Sequence, residues 1–261
     1  MKYVVLSFDD GRLDTFEYAV PHIVKNSLTA TVNIATDFIE RPERYANFSS
    51  AMNEAMTIQM IKKTSLAGIE IAGHGHQHIN DKNDVLTGLA RLKQWKIDGD
   101  LYGFASPFSE ITLNNHSEIR SMITDGEVAY IRSGIQVRRE SILYKMTYLV
   151  MEVFHSKRLF YMLNKKNVEV NKKNSLFFTG VSVNCNTTLL QIEYLINKMP
   201  DNSQLVLILH SVLPKSHPGY GKDKWYIDES MFEKLCISLK KNNNIQVTTN
   251  KFLAERNKTC I

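Results

Sequence analysis

The chain has 261 residues, 43% of them apolar, with 32 Lys+Arg against 27 Asp+Glu. A chain this long buries a substantial core without covalent staples, and it fits one α/β barrel-like domain as readily as two smaller ones. The basic excess is too slight to imply nucleic acid, for which no motif is visible, though it is compatible with an anionic substrate or membrane surface; no run of about 20 apolar residues offers a transmembrane helix.

The chain opens "MKYVVLSFDDG". Its apolar run, Tyr3 to Phe8, is too short for a signal-peptide core and meets two acids at once, so it reads as a first buried strand and the protein is expected in the cytoplasm. A helix follows: Asp14 and Glu17 have capping-box spacing, and Phe16, Val20, Ile23 and Val24 form one face. "TATVNIA" (29–35) is the next strand. "TIQMIKKTSLAG" (57–68) reads as a helix ending at Gly68, before the strand "IEIAG", and "VLTGLARLKQW" (85–95) is helical. "YGFAS" (102–106), "VAYIRS" (128–133), "QLVLIL" (204–209) and "NIQVTT" (244–249) are further strands, with a helix, "IDESMFEKLCISLKK" (227–241), between the last two. Strands alternating with helices imply a largely parallel sheet, and catalytic groups then belong at its C-terminal strand ends. Residues 138–174 stand apart. Ile142, Met146, Leu149, Val150 and Val153 recur at helical spacing among Arg138, Arg139, Lys145, Lys157, Arg158, Lys165 and Lys166. A core-packing helix with solvated charges is one reading, and a basic amphipathic surface for a lipid headgroup or a partner is the other. Cys185, Cys236 and Cys260 are odd in number and widely spaced, as in a reducing compartment.

Three short stretches carry chemistry. "SFDDG" places two adjacent carboxylates at a strand end. It is ordinary turn composition, but two acids sharing a partly buried pocket cannot both ionise cheaply unless a cation joins them. "GHGHQHIN" (73–80) places His74 and His78 four apart, so that one helical turn would put both rings on one side, with His76 pointing away. Two imidazoles and one carboxylate, Asp9 or Asp10, make a three-ligand metal site with open positions, against the plain alternative of a solvated polar turn. "LVLILHSV" ends an apolar strand in His210, either a satisfied core histidine or a general acid.

In this order the three stretches resemble the polysaccharide deacetylase family (carbohydrate esterase family 4, the NodB-homology domain). Its T-F-D-D-G appears as Ser7-Phe8-Asp9-Asp10-Gly11. Its H-[ST]-x-x-H appears as His74-Gly75-His76-Gln77-His78, and its L-x-x-H as Leu207-Ile208-Leu209-His210. The resemblance implies a distorted (β/α)7 barrel, one domain over residues 1–261 with a basic helical insertion around 138–174. It implies Asp9 as catalytic base, His210 as acid, and Asp10, His74 and His78 as ligands of Zn²⁺ or of another divalent metal such as Co²⁺, Ni²⁺ or Fe²⁺. Two features depart from the family. Its R-x-P-x-G aligns with Ala105-Ser106-Pro107-Phe108-Ser109, so the arginine that pairs with the catalytic Asp is missing, and the Trp-containing fourth motif is absent. Arg132, in "YIRSG", is the candidate replacement cation, against the reading of an ordinary surface charge. Pro107 and Phe108 are expected to shape the substrate loop, with the Phe108 amide facing the oxyanion.

The function expected is metal-dependent removal of an N-acetyl group from an amino sugar. The substrate expected is a nucleotide- or lipid-linked sugar, with phosphate as the candidate linkage, in O-antigen or capsule (lipopolysaccharide) synthesis. No nucleic acid partner is expected, and peripheral membrane contact falls to 138–174. The alternatives are a catalytically impaired sugar-binding or scaffold relative, or a deacylase of another amide, formyl or non-sugar.

Overall fold

The computed structural model of the protein describes residues 1–45, 54–97, 99, 101–134, 142–170 and 175–259. Arg138, Arg139 and Cys260 lie outside the described residues. The strands are β1 (Lys2–Phe8), β2 (Thr31–Ile34), β3 (Glu70–Gly73), β4 (Phe104–Ala105), β5 (Ile131–Ser133), β6 (Glu169–Val170), β7 (Phe177–Ser182), β8 (Ser203–Leu209), β9 (Ser211–Leu213), β10 (Tyr226–Asp228) and β11 (Ile245–Thr248). The helices are α1 (Val20–Lys25), α2 (Thr36–Glu40), α3 (Ile58–Leu66), α4 (Lys82–Gln94), α5 (Ser117–Thr124), α6 (Ile142–Phe154), α7 (Lys157–Asn164), α8 (Leu189–Lys198), α9 (Glu229–Lys241) and α10 (Asn250–Thr259). No described helix is long and apolar enough to cross a membrane.

Among the described residues, β1-β2-β3-β4-β5-β7-β8 pair in parallel and β8 returns to β1, closing a ring of seven strands. The ring is distorted at β1. One edge of that strand pairs with β8 from Tyr3 to Phe8. The other pairs with β11 over Lys2–Val5 and with β2 only at Ser7–Phe8. The expected strand 244–249 therefore forms, but wedged beside the ring. The seventh ring member is β7, whose "FFTGVS" the reading of the sequence passed over. Its Gly180 lies so close to β8 that a Cβ there would meet the Ile208 side chain at 2.7 Å.

Strand alternation sorts the ring into two faces. Val4, Leu6, Phe8, Leu205, Leu207 and Leu209 join the large apolar cluster shared with the helices. Val5, Ala72, Tyr130, Phe178, Val206 and Ile208 form a second cluster inside the ring, with Leu253 and Ala254 of α10. The inward face is not apolar throughout. Thr31 Oγ1 donates to Glu70 at 2.7 Å, Tyr130 Oη donates to Glu70 at 2.7 Å, and Asn33 Nδ2 donates to Ser7 Oγ at 2.9 Å. Following that face toward the C-terminal ends, β1 leads from Val5 and Ser7 to Asp9, β3 from Ala72 to His74, β5 from Tyr130 to Arg132, and β8 from Ile208 to His210. The functional candidates thus converge because period-2 alternation runs inward on four strands spread around the ring.

Two further expectations are corrected. Asp14 does not cap a helix with Glu17: residues Thr15–Ala19 form one wide π-helical turn ahead of α1, and the Asp14 carboxylate instead accepts the Val212 N–H at 3.0 Å. Nor does a helical turn join His74 to His78. Residues 74–80 are a loop, with Gly75 at φ 79° and His78 at φ 61°. The loop is clamped by Asp84 of α4, whose carboxylate accepts the N–H groups of His76 (2.9 Å) and Gln77 (2.8 Å). A Cβ at residue 75 would meet Asp84 Oδ2 at 2.5 Å, so glycine and the acid occupy one space between them.

Gly88 of α4 backs onto the same loop: a Cβ there would fall 2.7 Å from the Gly75 carbonyl carbon and oxygen and 3.0 Å from His76 N. These are backbone atoms, so the loop or the helix must move. Gly88→Ala is expected to destabilise by about 1–3 kcal/mol despite alanine's better helix propensity. Chemical denaturation measures this; unchanged stability would show that the loop yields freely.

Candidate active site

Four carboxylate and imidazole groups and two arginines are packed at the C-terminal end of the ring, nearly sealed from water. Asp9 and Asp10 are 4% and 2% exposed, and Arg12 and Arg132 are 2% and 0%. Each acid has its own guanidinium. Arg132 pairs with Asp9 Oδ1, which also accepts Asn33 Nδ2 at 2.8 Å. Arg12 donates through Nε and Nη2 to Asp10 Oδ2, both at 2.8 Å, and through Nη1 to Ser211 Oγ at 2.9 Å. Buried ions are tolerable only when paired in this way.

Arg132 answers the missing arginine at position 105. Ala105 and Arg132 are register partners on β4 and β5. Paired residues on parallel strands point to the same face, so a cation moved one strand over still reaches Asp9, and the small side chain of Ala105 leaves it room. Arg12 went unnoticed in the sequence, although a charged residue directly after Asp-Asp-Gly was its signal. Residues 12–15 bind the end of β1 to the end of β8: Arg12 reaches Ser211, Asp14 accepts from Val212 N, and Thr15 Oγ1 donates to the His210 carbonyl at 3.3 Å.

Because Arg12 takes Oδ2, the other oxygen of Asp10 faces the two imidazoles. His74 Nε2 lies 3.4 Å from Asp10 Oδ1, His78 Nε2 lies 3.2 Å from it, and the two Nε2 atoms are 3.1 Å apart. His74 Nδ1 donates to the Ala105 carbonyl at 2.8 Å, which leaves its Nε2 as a lone pair pointing at a carboxylate oxygen. Three ligand atoms brought this close can share one cation. Ligand atoms ~2.0–2.2 Å from one ion stand roughly 3.0–3.5 Å apart, so Asp10, His74 and His78 form a candidate Asp-His-His metal site whose donor set fits a divalent ion. Burial pushes the Asp10 carboxyl up, but the opposing charges, the Arg12 guanidinium foremost, hold it well below the usual range. Asp10 at φ 77° and His78 at φ 61° are left-handed backbone that non-glycine residues seldom adopt, and both fall at this triad.

His76 points elsewhere: its Nδ1 is 2.9 Å from Thr36 Oγ1 and its Nε2 is 3.8 Å from Asp37 Oδ1. Asp37, Glu40 and His76 also come within ligand distance of one another, but Asp37 is already engaged by Arg41, Arg44 and Tyr45. Phe108 (φ 53°) sets its ring edge-on to His78, 4.7 Å between centroids, and Asn80 Nδ2 holds the Pro107 carbonyl at 2.9 Å. His210 lies beyond the β8 end, where Asp9 N donates to the Leu209 carbonyl at 2.9 Å. Its ring leans on Trp225, 5.1 Å between centroids, and its buried Nδ1 has no hydrogen-bond partner among the described residues. Burial pushes the imidazole down to about 4 against the pull of Asp10 and Asp9, so it is neutral at pH 7.

Residues 1–120 match the polysaccharide deacetylase family. The match covers a little under half of the chain, so that segment is similar to the deacetylases. It spans Asp9, Asp10, His74, His78, Pro107 and Phe108, while Arg132 and His210 lie beyond it. No curated protein matches the chain in sequence. Among solved structures, a family 4 acetyl xylan esterase from Clostridium thermocellum, in complex with a cobalt ion, aligns at 13% identity and a TM-score of 0.49, over 97% of this chain and 91% of its own. The peptidoglycan deacetylase PdaC from Bacillus subtilis aligns at 13% identity and 0.49, over 97% and 90%. A de-N-acetylase from Aggregatibacter actinomycetemcomitans aligns at 16% identity and 0.40, over 51% and 63%. Overlaps this loose carry no weight for activity.

Asp14 supplies a pH signature. Burial raises its carboxyl from 3.8 to about 7, against the opposing pull of Arg12. The folded protein keeps this proton up to about pH 7, whereas the unfolded chain releases it near 3.8, so stability from this group is lost as pH rises through that window, by at most about 4 kcal/mol. Asp14→Asn retains the acceptor for Val212 N–H without the ionisation. Its melting temperature relative to wild type is expected to climb between pH 4 and pH 8; a constant difference would show that Asp14 is not held protonated.

Proposed function

We propose that the protein is a metal-dependent N-deacetylase acting on an acylated amino sugar carried on phosphate. The observation that supports this best is the convergence of Asp10 Oδ1 with the His74 and His78 Nε2 atoms beside an arginine-paired Asp9 and His210. Zn²⁺ is the ion favoured by two imidazoles and a carboxylate, with Co²⁺, Ni²⁺ and Fe²⁺ acceptable to the same donors. Bound there, a divalent ion supplies a Lewis acid for the acyl carbonyl and acidifies water.

The chain's own residues do the rest. Asp9, fixed by Arg132 and Asn33, takes the proton of the attacking water. The Phe108 amide, on the loop held by Pro107 and Asn80, faces the oxyanion. His210 delivers a proton to the departing nitrogen, which is otherwise a poor leaving group. Its ring is neutral at rest, so it takes the proton it delivers from solvent as negative charge builds on the reacting carbonyl, and Asp9 returns its own proton to solvent when the products leave. A catalytically idle sugar-binding relative is the weaker reading, because binding alone has no use for the Asp9–Arg132 pair.

Charge supports the phosphate. Asp9 and Asp10 are each cancelled by an arginine, so a bound dication leaves the pocket net positive, which favours an anionic substrate. The exposed free thiol of Cys185 suits a reducing compartment. We therefore assign the substrate to a nucleotide- or lipid-linked sugar of cell-surface polysaccharide synthesis, O-antigen or capsule, handled in the cytoplasm at a membrane that the segment 138–174 contacts.

Metal content and acetate release together test the assignments. His74→Ala and His78→Ala are expected to lose most of their metal by elemental analysis, and His76→Ala to keep it; wild-type content in both of the first two would remove the site. Asp9→Asn is expected to keep metal and lose about 10²–10⁴ in rate. Arg132→Ala is expected to lose activity likewise, and adding Ala105→Arg, which returns the cation to the neighbouring strand, to restore part of it. Failure of wild type to release acetate from N-acetylated nucleotide sugars, lipid-linked sugars and oligosaccharides alike would overturn the enzyme.

A further inference from the structure

Helix α6 shows solvent a face that a water-soluble surface seldom carries. Ile142 is 77% exposed, Met146 and Leu149 61%, Val153 62%, Phe154 74% and Val150 43%, and Met162 on α7 is 59% exposed. On α6 these fall at i, i+4, i+7, i+8, i+11 and i+12, one continuous stripe. Single exposed apolar residues are normal, but a contiguous patch marks an interaction surface.

The other side of α6 accounts for its position. Met151 is buried and its sulfur receives Gln191 Nε2 at 3.3 Å, while Tyr148 Oη accepts Asn184 Nδ2 at 3.3 Å. His155 Nδ1 meets the Asn186 carbonyl at 3.1 Å. Residues 184–186 follow β7 at the same end of the ring as Asp9, Asp10 and His74. Cys185 N donates to the Lys224 carbonyl at 3.1 Å, and the next residue, Trp225, lies against His210. The exposed stripe thus sits on the rim of the candidate active site.

Charge identifies the occupant. From 142 to 166 the exposed ionisable residues are Lys145, His155, Lys157, Arg158, Lys165 and Lys166. The single acid there, Glu152, is half-buried beside Tyr148. A second copy of the chain on this face would set one cationic border against another. An apolar stripe whose exposed charged neighbours among the described residues are cations matches acyl chains beneath anionic headgroups. At 13 residues α6 is about 20 Å long, enough to lie in the interface plane and too short to cross the bilayer.

We infer that the outer face of α6, with Met162 and the cations of α7, docks on an anionic bilayer and holds the active-site rim against the membrane. The apolar stripe enters the headgroup boundary, and Lys145, Lys157 and Arg158 meet lipid phosphates. The inference rests on the membrane-carried substrate proposed above, but vesicle binding is measured without any substrate. Failure to bind vesicles sinks the docking alone, and failure to release acetate from nucleotide-linked, lipid-linked and oligosaccharide N-acetyl sugars alike sinks the deacetylase alone.

The test is flotation of the full chain with vesicles of phosphatidylcholine, alone or with phosphatidylglycerol. Wild type is expected to float with the mixed vesicles and to stay in solution with the neutral ones. The exposed double substitution Leu149→Glu/Val153→Glu is expected to cut binding roughly tenfold or more with metal content and melting temperature unchanged. Lys157→Glu/Arg158→Glu is expected to cut it roughly tenfold or more and to flatten its dependence on salt. Wild type remaining in solution with anionic vesicles overturns the docking, as do well-folded variants that float like wild type. A concentration-dependent dimer abolished by Leu149→Glu, with vesicle binding untouched, gives the face to a second copy instead.

Discussion

Two carboxylates side by side in the chain and almost sealed from water impose a condition that the surrounding structure meets. Neither can be ionised there alone. Arg132 reaches Asp9 from β5, and Arg12 holds one oxygen of Asp10 while fastening to Ser211. With that oxygen taken, the other is left facing two imidazole nitrogens at 3.2 and 3.4 Å, an arrangement of ligand atoms that can share one cation. The Asp9–Arg132 pair, the candidate metal site and the two buried arginines are consequences of placing Asp-Asp at the end of a closed ring.

The ring supplies the convergence and the loops supply the aim. Alternation carries residues 9, 74, 132 and 210 inward on four strands, but regular strands would not turn Asp10 and His78 toward the same point. Left-handed backbone at both residues does so, and the surroundings sustain it: Asp84 clamps the 75–77 loop, and α4 presses on it through Gly88. The same economy appears at residues 12–15, where three side chains tie the β1 end to the β8 end, so that Asp9 and His210 are held by one network.

Much of this was legible in the chain. "SFDDG", "GHGHQHIN" and "LVLILHSV" are local signals, each an apolar run that stops at a titratable residue. Strand alternation needs no tertiary knowledge to place Asp9, His74 and His210 at strand ends. The replacement of the lost arginine by Arg132 was readable too, because "VAYIRS" is the strand after "YGFAS" and neighbouring parallel strands share a face. The strand 177–182 was less visible, since its own face is interrupted by Thr179 and Gly180, and Gly180 acquires its meaning only from contact with Ile208.

The sequence by itself determined which residue types meet: acids, imidazoles and arginine at the ends of apolar strands, in an order that resembles a known family, with a cationic apolar helix added. Tertiary structure decided how they meet. Asp14 has cap spacing, yet a backbone N–H some 200 residues away competed for its carboxylate and won. His74 and His78 have helical spacing, yet a glycine turn clamped by Asp84 brings them together. Arg12 carries no local periodicity at all, and its role exists only once Asp10 and Ser211 are folded beside it. Local propensities are worth tenths of a kcal/mol to about one, whereas a buried charge left without its partner costs several. Where the two conflicted, the buried charges decided.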